Sequence, residues 1–250
     1  MFNHMEIEHL RNVFNKRFNE SIPSGPSEIV WKQILDKFGN KCKGKSACVI
    51  KNMMIRPKAP DSWINKPTDW LSDQDINSVE EDLEKLFRDY KFLGCISIDF
   101  DLKSEDGKCI VDTLCSTNLK DLYKKGKTKI GIVFNTDVHT GPGEHWMAIY
   151  CDISPELDQP RITYFDSYSK KPEKEIQRLM LRWSNEWNAT NKHDKEMETT
   201  YNTTRHQFKD SECGMYSLYF HYCCLNEIPM DKTIPDIVMN SFRNVLFRTK

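Results

Sequence analysis

Apolar residues recur at helical spacing along the first part of the chain, for example at Ile7, Leu10 and Phe14. A period of three and four positions predicts an amphipathic helix. A second run of this kind, over residues 29–38, predicts another helix after two intervening prolines. Three further prolines within residues 57–67 predict an irregular connector that ends this part of the chain.

Beyond the connector the pattern alternates between short apolar strands and longer helical runs. A helix is predicted to open within residues 70–76, with Ser72 or Asp73 as its N-cap. The predicted strands are Cys95–Phe100, Lys129–Phe134, Trp146–Asp152 and Arg161–Phe165. The predicted helices run from that opening to about Tyr90, over Pro172–Asn188 and Cys213–Leu225, and near Pro235–Phe247. This order predicts an α+β protein with a mostly antiparallel central sheet, in which residues 1–66 form a small helical arm and residues 67–250 the core.

Composition favours a protein that folds in water. At 250 residues the chain is long enough to bury a substantial core. Charged residues make up 29%, and no apolar run approaches the ~20 residues that span a bilayer. Charged and polar residues occur throughout the first 30 positions, so no secretory segment is predicted. We expect a soluble protein that is made and kept inside a cell.

The chain contains nine cysteines. Because the count is odd and the chain is not a short secreted domain, we expect reduced thiols in a reducing compartment rather than disulfides. The nearest approach to a metal cluster, His221 with Cys223 and Cys224, lacks the spaced ligand pairs of structural zinc sites. We therefore predict no metal, and the chemistry proposed below needs no organic cofactor.

Charge is distributed unevenly along the chain. Residues 1–66 carry 12 Lys and Arg against 6 Asp and Glu, although the whole chain has a net charge of −1. The excess of positive charge is greatest around Lys41, Lys43 and Lys45. This stretch is either a solvated face or a docking surface for an acidic partner or nucleic acid. It lacks interleaved aromatic residues and any known nucleic-acid motif, so base-specific recognition is not expected.

Cys213 is the candidate nucleophile. It begins an apolar helical run and follows Asp210, Ser211 and Glu212, whose oxygens could cap that helix. A thiol in the first turn of a helix meets unpaired N–H groups and the positive end of the helix dipole, both of which stabilise a thiolate. Gly214 removes a side chain beside the sulfur, which allows a substrate carbonyl to approach. The alternative is a buried structural cysteine, which is our interpretation of the later cysteines in this helix.

His145 is the candidate base, because it lies between a Gly-Pro-Gly turn and an alternating strand. It would accept the proton of the thiol and later protonate the leaving amine. The alternative is a histidine that only caps the turn. His139, His193 and His206 lack this position at the start of a strand and suit a structural role better.

Asp166 and Gln207 complete the candidate site. Asp166 ends a strand and would orient the imidazole through its second nitrogen. Asp152, at the end of the preceding strand, is the competing acid. Gln207 precedes Cys213 by six positions, and its side-chain N–H group, with the backbone N–H of Cys213, could bind a developing oxyanion. Alone, each of these residues would be an ordinary turn or surface residue.

The order His, acid, Gln, Cys resembles the ubiquitin-like-protease superfamily, which includes the SUMO-specific proteases and the adenovirus maturation endopeptidase. His145-Trp146 is similar to the family's His-Trp pair. Gln207 and Glu212-Cys213-Gly214 are similar to its Gln-x₄-[Asp/Glu]-Cys-Gly signature. Trp70-Leu71-Ser72-Asp73 with Ile76 is similar to its Trp-Leu-x-Asp-x-x-Ile segment. The resemblance implies a papain-like or adenain-like core, catalytic roles for His145, Asp166, Gln207 and Cys213, and a substrate channel formed by Trp70, Asp73, Trp146 and Gly214.

A narrower resemblance is to the polyprotein-processing proteases of African swine fever virus and other large DNA viruses. It is carried by residues 133–146 and 204–207, and more weakly by 46–50 and 58–60. Where that viral enzyme has Asn, this chain has Asp166, the commoner choice in the superfamily. The resemblance implies an N-terminal arm before the core, and a virus-encoded enzyme in the host cytoplasm and the virion.

The expected function is therefore a cysteine endopeptidase that cleaves after Gly-Gly sequences in a narrow channel and matures structural polyproteins of a virus. Two alternatives remain open at this stage. One is a deconjugase that removes SUMO or another ubiquitin-like modifier. The other is a catalytically silent module whose N-terminal region docks a partner. Intact His145, Asp166, Gln207 and Cys213 favour an enzyme over the silent module.

Overall fold

A mixed β-sheet lies between two groups of helices in the computed structural model, which describes residues 2–190 and 195–248. The strands are β1 (Tyr90–Ser97), β2 (Lys129–Asn135), β3 (Trp146–Asp152), β4 (Arg161–Phe165) and β5 (Glu198–Tyr201). The helices are α1 (His4–Phe18), α2 (Ser27–Phe38), α3 (Ser46–Met53), α4 (Asp73–Leu86), α5 (Asp112–Ser116), α6 (Leu119–Lys124), α7 (Lys174–Thr190), α8 (Cys213–Leu225) and α9 (Asp236–Leu246). The predicted α+β class is confirmed.

The strands lie side by side in chain order, from β1 to β5. The pairs β2–β3 and β3–β4 are antiparallel, whereas β1–β2 and β4–β5 are parallel. The sheet is therefore antiparallel only over its three central strands. The parallel pairs have a simple cause, because α5 and α6 connect β1 to β2, and α7 connects β4 to β5. Parallel neighbours require a crossover of this kind.

Strand β3 is buried along its whole length because helices cover both faces of the sheet. Ala148 and Tyr150 pack on one side with α4 and α8, while Met147 and Ile149 pack on the other side with α7. Burial on both faces explains why this strand is a continuous apolar run. Helix α8 packs against β3 so that its first residues lie beside the N-terminal end of the strand. The candidate site lies at this end.

The N-terminal helices pack onto the same buried cluster as α4 and α8. Leu10, Ile34 and Val49 all belong to this cluster and are almost fully buried. A further link joins the two chain ends, since the backbone N–H of Ala59 donates to the carbonyl of Arg248 at 2.9 Å. The division of the chain near residue 66 stays a prediction, although the apolar core runs across that position.

Several predicted elements agree closely with the structure. Strands β3 and β4 and helix α8 have the predicted bounds, and Ser72 is confirmed as the N-cap of α4. Strand β1 begins and ends earlier than predicted, and β5, α3, α5 and α6 were not predicted. No helix in the described residues is both long enough and apolar enough to cross a bilayer.

The expectation of reduced thiols is wrong for four of the nine cysteines. Disulfides join Cys42 to Cys48 and Cys109 to Cys115. In each case a short turn leads into a helix and brings two cysteines six positions apart to Cα separations of 5.3 and 6.4 Å, which suit a disulfide. An argument from the cysteine count and the compartment does not detect this local geometry.

Candidate active site

Hydrogen bonds from side chains fix the turn that precedes His145 and strand β3. The side chain of Asn135 accepts from the backbone N–H groups of Asp137 and Glu144, and the carboxylate of Asp137 accepts from the N–H of Gly143 at 2.9 Å. Gly143 has φ of +91°, a conformation that favours glycine. The loop before β3 is therefore fixed by its own polar side chains, and the histidine that follows it has a defined position.

Cys213 is the first residue of α8, as the sequence predicts. The predicted capping by side-chain oxygens is wrong, because no side chain in the described residues caps this helix. The carboxylate of Glu212 instead accepts from the N–H of Ser211 at 3.1 Å and from the amide of Asn240 at 2.8 Å. The first N–H groups of α8 are thus left without a side-chain cap beside the sulfur, which favours a thiolate or a bound oxyanion there.

The imidazole of His145 contacts both the candidate acid and the candidate nucleophile. Its Nε2 lies 2.8 Å from Oδ1 of Asp166, which is almost fully buried. Burial alone would lower the pKa of His145, but the hydrogen bonds with Asp166 and Cys213 outweigh it and raise the pKa to about 9. Because Asp166 engages Nε2, Nδ1 is the nitrogen left for the sulfur. The raised pKa favours the imidazolium form of His145 at neutral pH.

A tight turn after β4 holds Asp166. The backbone N–H of Tyr168 donates to Oδ1 of Asp166 at 2.9 Å, and that of Ser169, with φ of +60°, donates to its carbonyl at 2.8 Å. The side chain of Asn202 accepts from the N–H of Asp166 and donates to its carbonyl. The carboxylate that faces His145 is therefore fixed by backbone and amide contacts.

The competing residues lie elsewhere or have structural partners. Asp152 is at the opposite end of β3 and accepts from the side chain of Ser154. His139 pairs with Asp99 on the surface. The buried Nδ1 of His206 accepts from the backbone N–H of Ile234, and burial lowers the pKa of this histidine. His193 lies outside the described residues.

Gln207 is fully buried beside the turn of Asp166. Its Oε1 accepts from the hydroxyl of Ser167 at 2.6 Å, and its Nε2 donates to the carbonyl of Lys209 at 2.8 Å. The backbone N–H groups of His206 and Gln207 both donate to the carbonyl of Ser167. The glutamine amide is thus oriented on both sides, and its Nε2 retains a second N–H group.

Three of the four predicted channel residues line one groove of about 520 Å³, namely Trp70, Asp73 and Trp146. Trp70 is 43% exposed, whereas Trp146 is buried and its indole N–H donates to the carbonyl of Leu71 at 3.0 Å. Gly214 does not line the groove but lies behind it. A Cβ at Gly214 would come within 3.2 Å of both Leu71 and Trp146, so glycine lets α8 approach the groove wall.

The other free thiols have a different environment. Burial raises the pKa of Cys95, Cys151 and Cys224 well above the ordinary value, and that of Cys223 to about 12. Such thiols stay protonated and unreactive at neutral pH. Cys213 has a different neighbour, since it contributes to the raised pKa of the His145 imidazole.

Sequence reasoning missed several residues that position the site. Ser167 and Asn202 fix the turn and the glutamine segment, and Tyr168 packs against the ring of His145. Arg243 of α9 donates to the carbonyls of Thr68, Asp69 and Ser211, which joins the groove segment to the loop before Cys213. Of these residues, only Ser167 could have been identified from the sequence, because it is a polar residue directly after the candidate acid.

The comparison with known protein families identifies the class of this protein. The profile described as "Ulp1 protease family, C-terminal catalytic domain" matches residues 117–249, more than half of the chain. The chain therefore belongs to the Ulp1 protease family, and it is a cysteine-type peptidase.

Relatives of the chain are found in large viruses. A putative thiol protease of Acanthamoeba polyphaga mimivirus is 28% identical over 235 residues, which is 88% of this chain and 74% of that protein. A cysteine protease of African swine fever virus is 34% identical over 129 residues, which is 50% of this chain and 46% of that protein. The crystal structure of the African swine fever virus protease shares the fold, with a TM-score of 0.65 at 21% identity, over 98% of this chain and 90% of that one.

Proposed function

We propose that this peptidase is an endopeptidase that uses Cys213 as nucleophile, His145 as base and acid, and Asp166 as the group that orients the histidine. The observation that carries the proposal is the 2.8 Å contact between Nε2 of His145 and Oδ1 of Asp166, on a histidine whose pKa is also raised by its neighbour Cys213. The thiolate attacks the carbonyl carbon of the scissile peptide bond. The imidazolium then protonates the leaving amine, which departs as the C–N bond breaks and a thioester forms. Water deprotonated by His145 hydrolyses the thioester and restores the free thiol.

The oxyanion of each tetrahedral intermediate would be bound by the free N–H of Gln207 and the backbone N–H of Cys213. Support comes from the fixed orientation of the Gln207 amide and from the absence of a side-chain cap on α8 within the described residues. Donors that are fixed in advance stabilise the transition state without a reorganisation cost. Replacing Gln207 by Ala should lower kcat by roughly 10²-fold, the scale typical for the loss of one oxyanion donor.

The substrate residues before the scissile bond would occupy the groove of Trp70, Asp73 and Trp146. The bonded indole of Trp146 fixes one wall of this groove, and Gly214 lets the start of α8 pack directly behind that wall. A groove flanked by two tryptophans, one of them fixed, favours residues without side chains, which supports cleavage after Gly-Gly. Viral relatives that are named proteases support a virus-encoded enzyme that matures structural polyproteins.

A library of peptides with and without Gly-Gly before the cleaved bond tests this proposal. We expect cleavage after Gly-Gly, near-total loss of activity for Cys213→Ala and a partial loss for Asp166→Ala. Cleavage that is indifferent to Gly-Gly, or that survives in Cys213→Ala, would contradict the assignment.

Removal of SUMO or a similar modifier is the second candidate, since an African swine fever virus relative at 33% identity bears the name SUMO-1 cysteine protease. Side-by-side turnover of modifier conjugates and short Gly-Gly-Xaa peptides separates the two functions. A strong preference for the folded modifier would favour the deconjugase. A catalytically silent module would show neither turnover nor labelling of Cys213 by iodoacetamide at neutral pH.

The basic N-terminal stretch is a proposed docking surface for an acidic partner or nucleic acid. Lys41, Lys43 and Lys45 are all exposed around the turn between α2 and α3. Replacing these three lysines by Gln should weaken binding of a generic DNA duplex at low salt. The same change at three exposed lysines around α6, Lys120, Lys124 and Lys125, is the matched control. Equal affinity for both triple variants would identify the stretch as a solvated face.

The proposed location is the cytoplasm of a host cell and the virion. The two disulfides fit the virion better than the reducing cytoplasm that we expected, because disulfides persist under oxidising conditions. Thiol titration of the denatured, unreduced protein should detect the five free cysteines. Detection of all nine thiols before reduction would restore the original expectation.

A further inference from the structure

Tyr168 contacts more of the candidate site than any role assigned so far explains. Its ring centroid lies 5.0 Å from that of His145, and the two planes are tilted by 34°. Its backbone N–H donates to Oδ1 of Asp166, and its hydroxyl donates to the carbonyl of Lys209 at 2.7 Å. One residue therefore contacts the base, the acid and the segment that follows the glutamine.

The carbonyl of Lys209 is the point at which two of these contacts meet. It accepts from the hydroxyl of Tyr168 and also from Nε2 of Gln207. Because the first N–H of Gln207 is directed by this carbonyl, a shift of Lys209 would turn the second N–H away from the oxyanion. The hydroxyl of Tyr168 thus fixes the acceptor that orients the glutamine amide.

Two cations hold the ring of Tyr168 in place. The guanidinium of Arg205 lies 5.3 Å from the ring centroid, and the ammonium of Lys170 lies 5.7 Å from it. Nε of Arg205 also donates to the carbonyl of Gln207 at 2.8 Å. Cation–π contacts of this length are attractive. The ring is therefore packed between charged side chains and the imidazole, and its position is defined.

The contact with His145 has an electrostatic consequence. The face of an aromatic ring is electron-rich and attracts a cation within about 6 Å of its centroid. A ring beside the imidazole therefore stabilises the imidazolium form. The phenol also remains a donor at neutral pH, because burial, and next the charge of Cys213, raise the pKa of Tyr168.

We propose that Tyr168 is a positioning residue for this peptidase, whose ring supports the imidazolium of His145 and whose hydroxyl fixes the orientation of Gln207 through Lys209. The inference rests on the proposed function. The two parts of the side chain are separable, because Tyr168→Phe removes only the hydroxyl, whereas Tyr168→Leu removes the ring as well but keeps an apolar cover.

Two measurements separate these parts. The first is the pH dependence of alkylation of Cys213 by iodoacetamide, followed by mass spectrometry of the labelled peptide. The second is kcat and KM on a Gly-Gly-Xaa peptide. The matched control is Tyr123→Leu on α6, where a more exposed tyrosine packs against Trp187 with centroids 5.5 Å apart.

For Tyr168→Phe we expect an unchanged alkylation profile, with kcat lowered about 10-fold at constant KM, because only the oxyanion donor is misplaced. For Tyr168→Leu we expect the alkaline limb of the alkylation profile to move down by about one pH unit, since the imidazolium loses its ring contact. We expect kcat of this variant to fall further, by about 50-fold relative to the parent. Tyr123→Leu should match the parent in both measurements.

Two results together would overturn the inference. One is a kcat of Tyr168→Phe within two-fold of the parent, and the other is an alkaline limb of Tyr168→Leu at the same pH as in the parent. Losses of equal size in Tyr123→Leu would also overturn it, since they would show a general effect of removing a tyrosine. If Tyr168→Leu fails to fold, kcat of Tyr168→Phe alone decides. The proposed function fails separately if Cys213 of the parent is not alkylated faster than in His145→Ala.

Discussion

At the scale of single residues, the charge of His145 links the chemistry of the site to the stability of the protein. Its ring is largely buried, yet the contacts with Asp166 and Cys213 raise its pKa from 6.5 to about 9. A group whose pKa is higher in the folded state binds its proton more tightly there than in the unfolded chain. Its stabilising contribution is therefore fully present below pH 6.5 and is lost as the pH rises through about 9.

We predict that the gap in unfolding free energy between the parent and His145→Gln depends on pH. The gap should be largest at pH 6 and should shrink by on the order of 2 kcal/mol at about pH 10, since each pKa unit corresponds to about 1.4 kcal/mol. Glutamine keeps a donor for Asp166 but does not titrate. Urea unfolding at a series of pH values measures the gap, and a constant gap would contradict a charged ring in the folded state.

Gly131 illustrates a different residue-scale requirement, the space for a buried polar network. Glu80, Tyr90 and His221 are fully buried and hydrogen-bonded to one another, and Nε2 of His221 bonds to the carbonyl of Ile149 at 2.9 Å. A Cβ at Gly131 would overlap the hydroxyl of Tyr90 and approach His221. The network joins α4, β1 and α8, so its geometry affects the helix that carries Cys213.

Gly131→Ala should lower the free energy of unfolding by about 2 to 4 kcal/mol, because it overpacks the core and disturbs buried hydrogen bonds. The matched control is Gly25→Ala, where an added Cβ meets no atom within 4 Å and φ is not left-handed. That control should change stability by less than about 0.5 kcal/mol or slightly raise it. Equal effects of the two changes in urea unfolding would rule out a special role for Gly131.

At the scale of elements, α9 holds the segments around the groove together. Arg243 is almost fully buried, and its guanidinium lies 4.5 Å from the ring centroid of Trp63. It donates to carbonyls before α4 and before α8. Burial lowers the pKa of Arg243 to about 10, and the nearby Glu212 and Cys213 act against this. This one side chain fixes the spacing between Trp70 and the start of α8.

Arg243→Met should therefore cost about 2 to 4 kcal/mol of stability, because three partly buried carbonyls lose a charged donor that is itself buried. Arg178→Met on α7 is the matched control, since that side chain is 56% exposed and its ion pairs with Asp101 and Glu175 lie at the surface, where such pairs are worth about 0 to 1 kcal/mol. Chemical denaturation measures both variants. A cost for Arg243→Met no larger than that of the control would contradict the proposed anchoring role.

The elements around the site could be predicted because their patterns are strong and local. Strand β3 is a continuous apolar run after a Gly-Pro-Gly turn, and α8 begins at a polar-to-apolar boundary. The first residue of each element could therefore be predicted. Strand β5 is short, polar and mostly exposed, and its pairing with β4 depends on the crossover of α7. The partners of Tyr168 and Arg243 are far apart in sequence, and no local pattern predicts such contacts.

At the scale of the whole molecule, the N-terminal helices and the sheet share one apolar cluster. Ile34 of α2 is fully buried in it, together with residues of α4 and α8. Ile29, on the same helix, is 55% exposed. Because the cluster continues across residue 66, the N-terminal helices contribute to the stability of the part that carries the site.

We predict that Ile34→Ala lowers the free energy of unfolding by about 2 to 4 kcal/mol and that the protein still unfolds in one transition. Tryptophan fluorescence and far-UV circular dichroism should give the same midpoint. Ile29→Ala should have little effect. Two separate transitions, with only the first shifted by Ile34→Ala, would show that the N-terminal region unfolds independently.

The most direct test of the central claim is covalent trapping by a short peptide that ends in Gly-Gly and carries an electrophilic vinyl ester in place of the scissile bond. Attack by a thiolate adds the peptide to the protein and is read by intact mass and peptide mapping. We predict a single adduct on Cys213, no adduct in Cys213→Ala, and poor labelling by the matched peptide with Val in place of the final Gly. Labelling at another cysteine, or equal labelling by the Val peptide, would contradict a Cys213 peptidase with a narrow Gly-Gly groove.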